Sequence, residues 1–128
     1  MSSSPRSSRQ SPPPIQPKRV VVTGVGAVTS IANGAHETWE KILAGESGLR
    51  RVESLDPDQN PCLVRGDVDN STITNRFLDP KTLRNTSRFA RMAVEAAGEA
   101  LLDAGLIDEN FEPTKDLTEA GAVIGTCV

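Results

Sequence analysis

Four features of this chain could do chemistry: a lone histidine, two cysteines, two closely spaced glycines behind an apolar run, and a short acidic cluster. His36 is the only histidine. A catalytic imidazole needs a nucleophile to activate or a carboxylate to orient it. His36 instead opens a helical pattern beside Glu37, a place that suits a solvated or capping side chain. Cys62 and Cys127 are far apart, belong to no CxxC pair and have no histidine pair nearby, which argues against a disulfide framework or a zinc site. Both read as buried or idle thiols, and with one histidine Cys127 has no Cys–His partnership to enter. Asp108-Glu109-Asn110 lacks the spacing of a calcium loop. No metal site and no cofactor follow from these residues.

Gly24-Val25-Gly26 behind Val20-Val21-Val22-Thr23 invites a dinucleotide reading. That fingerprint needs a third glycine three positions past the second, so that helix and strand close on a pyrophosphate. Thr29 stands there. The acidic residue expected about 20 positions on should end a second strand, whereas Glu46 falls in Ala44-Gly45-Glu46-Ser47-Gly48, behind a helix. A tight strand-to-helix turn is the better account.

The elements that would carry these residues follow from periodicity. Val20 to Thr23 is a β-branched run, as in a strand buried on both faces. A helix is expected over about Ala35 to Ala44, with Trp39, Ile42 and Leu43 on one stripe and Gly45 as its stop. Residues 46–75 read as loop, with Asp56-Pro57 and Asn60-Pro61 as turn signals, and Leu63, Val64 and Val68 mark a short strand or an irregular segment around Arg65-Gly66-Asp67. Residues 73–83 suggest a short helix broken at Asp79-Pro80. The strongest helix spans about Ser87 to Gly105. Phe89, Met92, Val94, Ala96, Ala97, Ala100, Leu101 and Leu102 form its packing face. Arg88, Arg91, Glu95, Glu99 and Asp103 occupy the polar side, with Arg91 and Glu95 at salt-bridge spacing. After an acidic connection, Ala120 to Val128 reads as a second buried strand.

Composition narrows the class. Residues 1–17 are dominated by Ser, Pro, Arg and Gln and cannot bury enough apolar surface to offset their ordering entropy. They read as a disordered tail. No acid precedes Glu37, so the start is basic and the body acidic, in a chain of net charge −3. An acidic body argues against a nucleic-acid surface. The acid-free start, containing Arg and Ser, has marks of an organelle transit peptide, mitochondrial first. Its prolines favour the alternative, an untargeted tail on a cytoplasmic protein. No stretch approaches a membrane span.

The string from Lys18 to Gly34, KRVVVTGVGAVTSIANG, resembles the start of the β-ketoacyl-acyl-carrier-protein synthases. The likeness continues through Thr38-Trp39-Glu40-Lys41-Ile42-Leu43-Ala44-Gly45 and Arg88-Phe89-Ala90. It then passes through Asp103-Ala104-Gly105-Leu106 to Ala122-Val123-Ile124-Gly125-Thr126-Cys127-Val128. The resemblance implies a thiolase-like α/β fold, of which residues 18–128 would form the incomplete start of the N-terminal half. It implies decarboxylative Claisen condensation in fatty-acid or polyketide synthesis, with acyl carrier protein and malonyl or acyl thioesters as partners and a homodimer as the complete enzyme. The family's nucleophilic cysteine and two histidines would fall past Val128, so no catalytic residue is expected here. Cys127 stands where the family often has glycine and is not that nucleophile. Val128 matches an apolar position lining the mouth of the acyl pocket. The chain alone is therefore expected to be inactive and prone to self-association. A non-catalytic interaction module, or a nucleotide-binding fragment, is the alternative.

Overall fold

The computed structural model describes residues 18–125. The N-terminal tail, Cys127 and Val128 lie outside them. In chain order the elements are helix α1 (Ala35–Leu43), strands β1 (Leu49–Arg51) and β2 (Val64–Gly66), helix α2 (Pro80–Asn85) and helix α3 (Arg88–Asp103), with one 3-10 turn at Asn70–Thr72. The architecture is mixed helix and strand. β1 and β2 form an antiparallel pair, with Leu49 opposite Gly66, Arg50 opposite Arg65 and Arg51 opposite Val64. Of the two alternatives around Arg65-Gly66-Asp67, strand or irregular segment, the strand forms, over Val64–Gly66. Its partner, β1, lies in a stretch read from sequence as loop.

The helix ends are local and legible. α1 closes with Gly45 at φ 76°; the Gly45 N–H reaches Ile42 O at 3.0 Å and the Glu46 N–H reaches Lys41 O at 2.9 Å. α3 repeats the arrangement: Gly105, at φ 64°, donates to Leu102 O and Leu106 donates to Leu101 O, both at 2.9 Å. Both are Schellman closures, which need a left-handed residue that glycine supplies without a Cβ penalty. Asp79-Pro80 starts a helix rather than breaking one. The Asp79 carboxylate accepts the N–H groups of Lys81 at 2.9 Å and Thr82 at 3.1 Å, and Pro80, whose missing N–H is no loss in a first turn, opens α2.

Among the described residues neither expected buried strand forms: Val20 to Thr23 is unpaired, and so is the described part of the second, residues 120–125. Val20 and Val22 are 89% and 83% exposed, Val123 is fully exposed, and Ile124 is largely so. Neither segment pairs with the other or with β1 and β2. A β-branched run stabilises a sheet only through neighbours on its edges and cover on its faces, and the described residues provide neither. The buried residues cluster elsewhere: Ala32, Ile73, Thr38 and Glu95 sit around the loop that joins residue 28 to α1 and along the middle of α3. Phe77 fills the gap beside α3. A Cβ on Gly98 would come within 2.5 Å of its ring, and Phe111 stacks on it with centroids 4.8 Å apart and planes tilted by 60°.

Candidate functional site

The packed centre of the molecule is one face of α3. Ala96, Ala100 and Ala104 recur every fourth residue and leave the helix backbone open to close approach. Gly24 and Gly26 use that opening. A Cβ on Gly24 would collide with Ala100 O and come within 2.6 Å of Ala104 N, and one on Gly26 would collide with Ala96 O. The two glycines are spaced for helix contact, so no phosphate cradle forms. The next helix, α1, begins only at Ala35, after a tight turn in which Thr29 N–H bonds to Ala32 O at 2.9 Å. Thr29, the residue in place of the third glycine, organises that turn. Its hydroxyl accepts from the N–H groups of Ile31 at 3.2 Å and Ala32 at 3.0 Å and exchanges a hydrogen bond with the buried Thr38. The strand-to-helix turn expected at Gly24-Val25-Gly26 is replaced by an open segment lying along α3.

Three carboxylates at i, i+4 and i+8 fix this segment and its neighbour. Asp103 Oδ2 accepts the Val25 N–H at 2.9 Å. Glu99 is bidentate, taking the Ala27 N–H on Oε2 at 2.8 Å and the Ala35 N–H on Oε1 at 2.7 Å. Glu95 is 4% exposed; it accepts from the Thr74 hydroxyl and lies 3.9 Å from Arg76 Nε. Two residues of extended chain advance about 6.6 Å and four residues of helix about 6 Å. Alternate N–H groups of the segment therefore meet successive carboxylates of α3, with the two chains running antiparallel. Like charges at i, i+4 cost about 0.2–0.5 kcal/mol per pair. A hydrogen bond to a charged group returns about 1.5–3 kcal/mol, so the row is favourable as long as the backbone donors stay seated.

Glu99 also serves α1. Gly34, at its N-cap, has no side chain to cap with. The carboxylate from α3 supplies the missing acceptor and places negative charge at the positive end of the helix dipole. These acids were expected on the solvent side of α3, with Arg91 pairing Glu95. Instead Arg91 Nε donates to Thr86 O at 3.0 Å, and Glu95 faces inward to Thr74 and Arg76. The sequence signal was available in acids every fourth residue, which repel one another on a free surface but suit a row of fixed donors.

A hollow of about 480 Å³ lies between α1 and α3, walled by Val25, Trp39 and Leu102 and rimmed by His36, Arg76 and Asp103. Among the described residues that line it there is no thiol or hydroxyl. His36 is 85% exposed and stands 3.7 Å from Glu40 Oε2, one helical turn away. Cys62 is exposed, contrary to the buried alternative, with its thiol directed to Val64 O at 3.3 Å. His36 and Cys62 are thus on separate structures, and the carboxylates of α3 are occupied as acceptors for N–H and O–H groups. This arrangement positions chain segments. A smaller apolar hollow of about 310 Å³ lies where Ile124 and Gly125 pass Phe89, Ala93 and Val94 of α3.

Residues 17–128 match the family described as beta-ketoacyl synthase, N-terminal domain, and the chain belongs to that family. It is 33% identical over 116 residues to 3-oxoacyl-[acyl-carrier-protein] synthase II, chloroplastic, of Arabidopsis thaliana, covering 91% of this chain and 21% of the relative. It is 34% identical over 112 residues to 3-oxoacyl-[acyl-carrier-protein] synthase 2 of Synechocystis, covering 88% of this chain and 26% of the relative. With the protein of the same name from Staphylococcus aureus strain COL it shares 38% identity over 96 residues, 74% of this chain and 23% of the relative. The chain thus spans about a fifth to a quarter of the length of these relatives.

Proposed function

We propose that this chain serves as the N-terminal part of a 3-oxoacyl-acyl-carrier-protein synthase that elongates acyl chains in fatty-acid synthesis. The observation that carries the reading is the family match across residues 17–128, supported by relatives of that printed name. In this reading an acyl group passes from carrier-protein thioester to a cysteine thiolate, releasing the carrier thiol. Malonyl carrier protein loses carbon dioxide. The resulting enolate carbon attacks the enzyme thioester, forms the new carbon–carbon bond and expels the cysteine thiolate. The cysteine and the histidines and N–H groups that stabilise the enolate and oxyanion are assigned to sequence beyond Val128.

The proposed fold of the whole is thiolase-like, with the Val20–Thr23 and Ala120–Val128 segments as strands of its first half, Val128 at the mouth of the acyl pocket, and a homodimer as the working form. Residues 18–128 contribute α1 and α3 and the carboxylate row that orients them. Residues 1–17 are proposed as a separate tail with an organellar address, mitochondrial first and cytoplasmic as the alternative. A fluorescent fusion of that tail tests the address: a diffuse cytosolic signal removes the organelle.

The functional test is a chimera. Residues 18–128 replace the matching region of the Staphylococcus aureus synthase, and the product is assayed with acyl and malonyl carrier proteins. Condensation in the chimera, absent from the 128-residue chain alone, is expected. A folded, dimeric chimera without condensation overturns the reading. It would favour the second one, a non-catalytic interaction module, whose support is the exposed Trp39, Ile42 and Leu43 stripe of α1.

A further inference from the structure

We draw no further inference here: the strongest candidate, the apolar groove between α1 and α3 walled by Val25, Trp39 and Leu102, is an unpartnered face, and nothing in the structure shows what covers it.

Discussion

Val20–Val22 and Gly24–Ala27 are almost consecutive in the chain and fare oppositely. The first is a run of strand-forming residues with little cover, Val20 and Val22 standing in solvent. The second contains two glycines, poor strand formers, yet is seated, pressed to the α3 backbone and bonded to Asp103 and Glu99. Intrinsic preference therefore does not decide which stretch is packed here. A β-branched run needs a sheet, whose neighbours come from elsewhere in a fold. A glycine pair beside an Ala-and-acid helix needs only that helix, and α3 is present.

The largest expected effect breaks the seated half of this comparison. In Gly26→Ala the nearest atoms to the new Cβ are α3 backbone, the Ala96 carbonyl and the Ala100 nitrogen, with no flexible side chain to displace. Overpacking of this kind costs about 1–3 kcal/mol, and the backbone contact puts this site at the upper end. A urea titration of the 128-residue protein, followed by Trp39, its only tryptophan, should show a clearly lowered midpoint. Gly121→Ala is the control, since nothing lies within 4 Å of its Cβ, and it should stay within about 0.5 kcal/mol. Equal midpoints for the two variants would mean that the segment is not seated on α3.

Next in size is the carboxylate itself. Glu99→Ala removes the acceptor for two N–H groups, Ala27 and Ala35, and the expected loss is about 2 kcal/mol, because the site is only partly buried. Glu99→Gln keeps one acceptor oxygen and should fall between wild type and Glu99→Ala. The signature of the cap is in amide exchange, where Ala35 and the first turn of α1 should lose protection while α2 keeps its own. Uniform loss across all three helices would reduce Glu99 to a packing residue.

The helices and their stops were legible because their causes are local. Gly45 and Gly105 end α1 and α3 as expected, and the Trp39 stripe and Ala-rich face lie on the helices that periodicity assigned. Asp79-Pro80 was legible but misread, since the pair that breaks a helix in its interior opens one at its first turn. β1 is not legible because Leu49-Arg50-Arg51 is short and exposed throughout, so no alternation of burial marks it. The carboxylate row reads as a solvated face in the sequence because charge alone does not reveal that backbone donors sit opposite. The two valine-rich segments show the converse failure: their composition describes a sheet environment that the described residues do not contain.

A smaller effect on stability, but a visible one on assembly, sharpens the open half of the comparison. Val22→Lys and Ile124→Lys replace exposed apolar side chains, so the urea midpoint should move by less than about 0.5 kcal/mol. Unpaired strand edges with apolar faces are templates for association. Sedimentation of the unaltered chain should therefore depend on concentration, and the double variant should shift several-fold toward monomer. A monomeric unaltered chain at all concentrations would show that these segments are protected in solution.

The smallest expected effect is a titration. Hydrogen bonds from the Thr82 hydroxyl first, and then from the N–H groups of Thr82 and Lys81, hold the Asp79 carboxyl below the ordinary aspartate range. A group whose folded pKa is depressed contributes stability above its unfolded pKa, about 3.9, and loses it as pH falls through the folded value. The contribution of the α2 cap should therefore be complete at neutral pH and disappear only in acid below about pH 4. The side-chain carboxyl carbon resonance of Asp79 and the amide protons of Lys81 and Thr82 should move together with one midpoint below that of an unstructured aspartate. Asp79→Asn should abolish the shared midpoint, leaving α3 unchanged. A midpoint at or above the ordinary value would mean that the cap is open in solution. α2 would then join the open region of the molecule, in contrast to the Gly24–Ala27 stretch that is seated on α3.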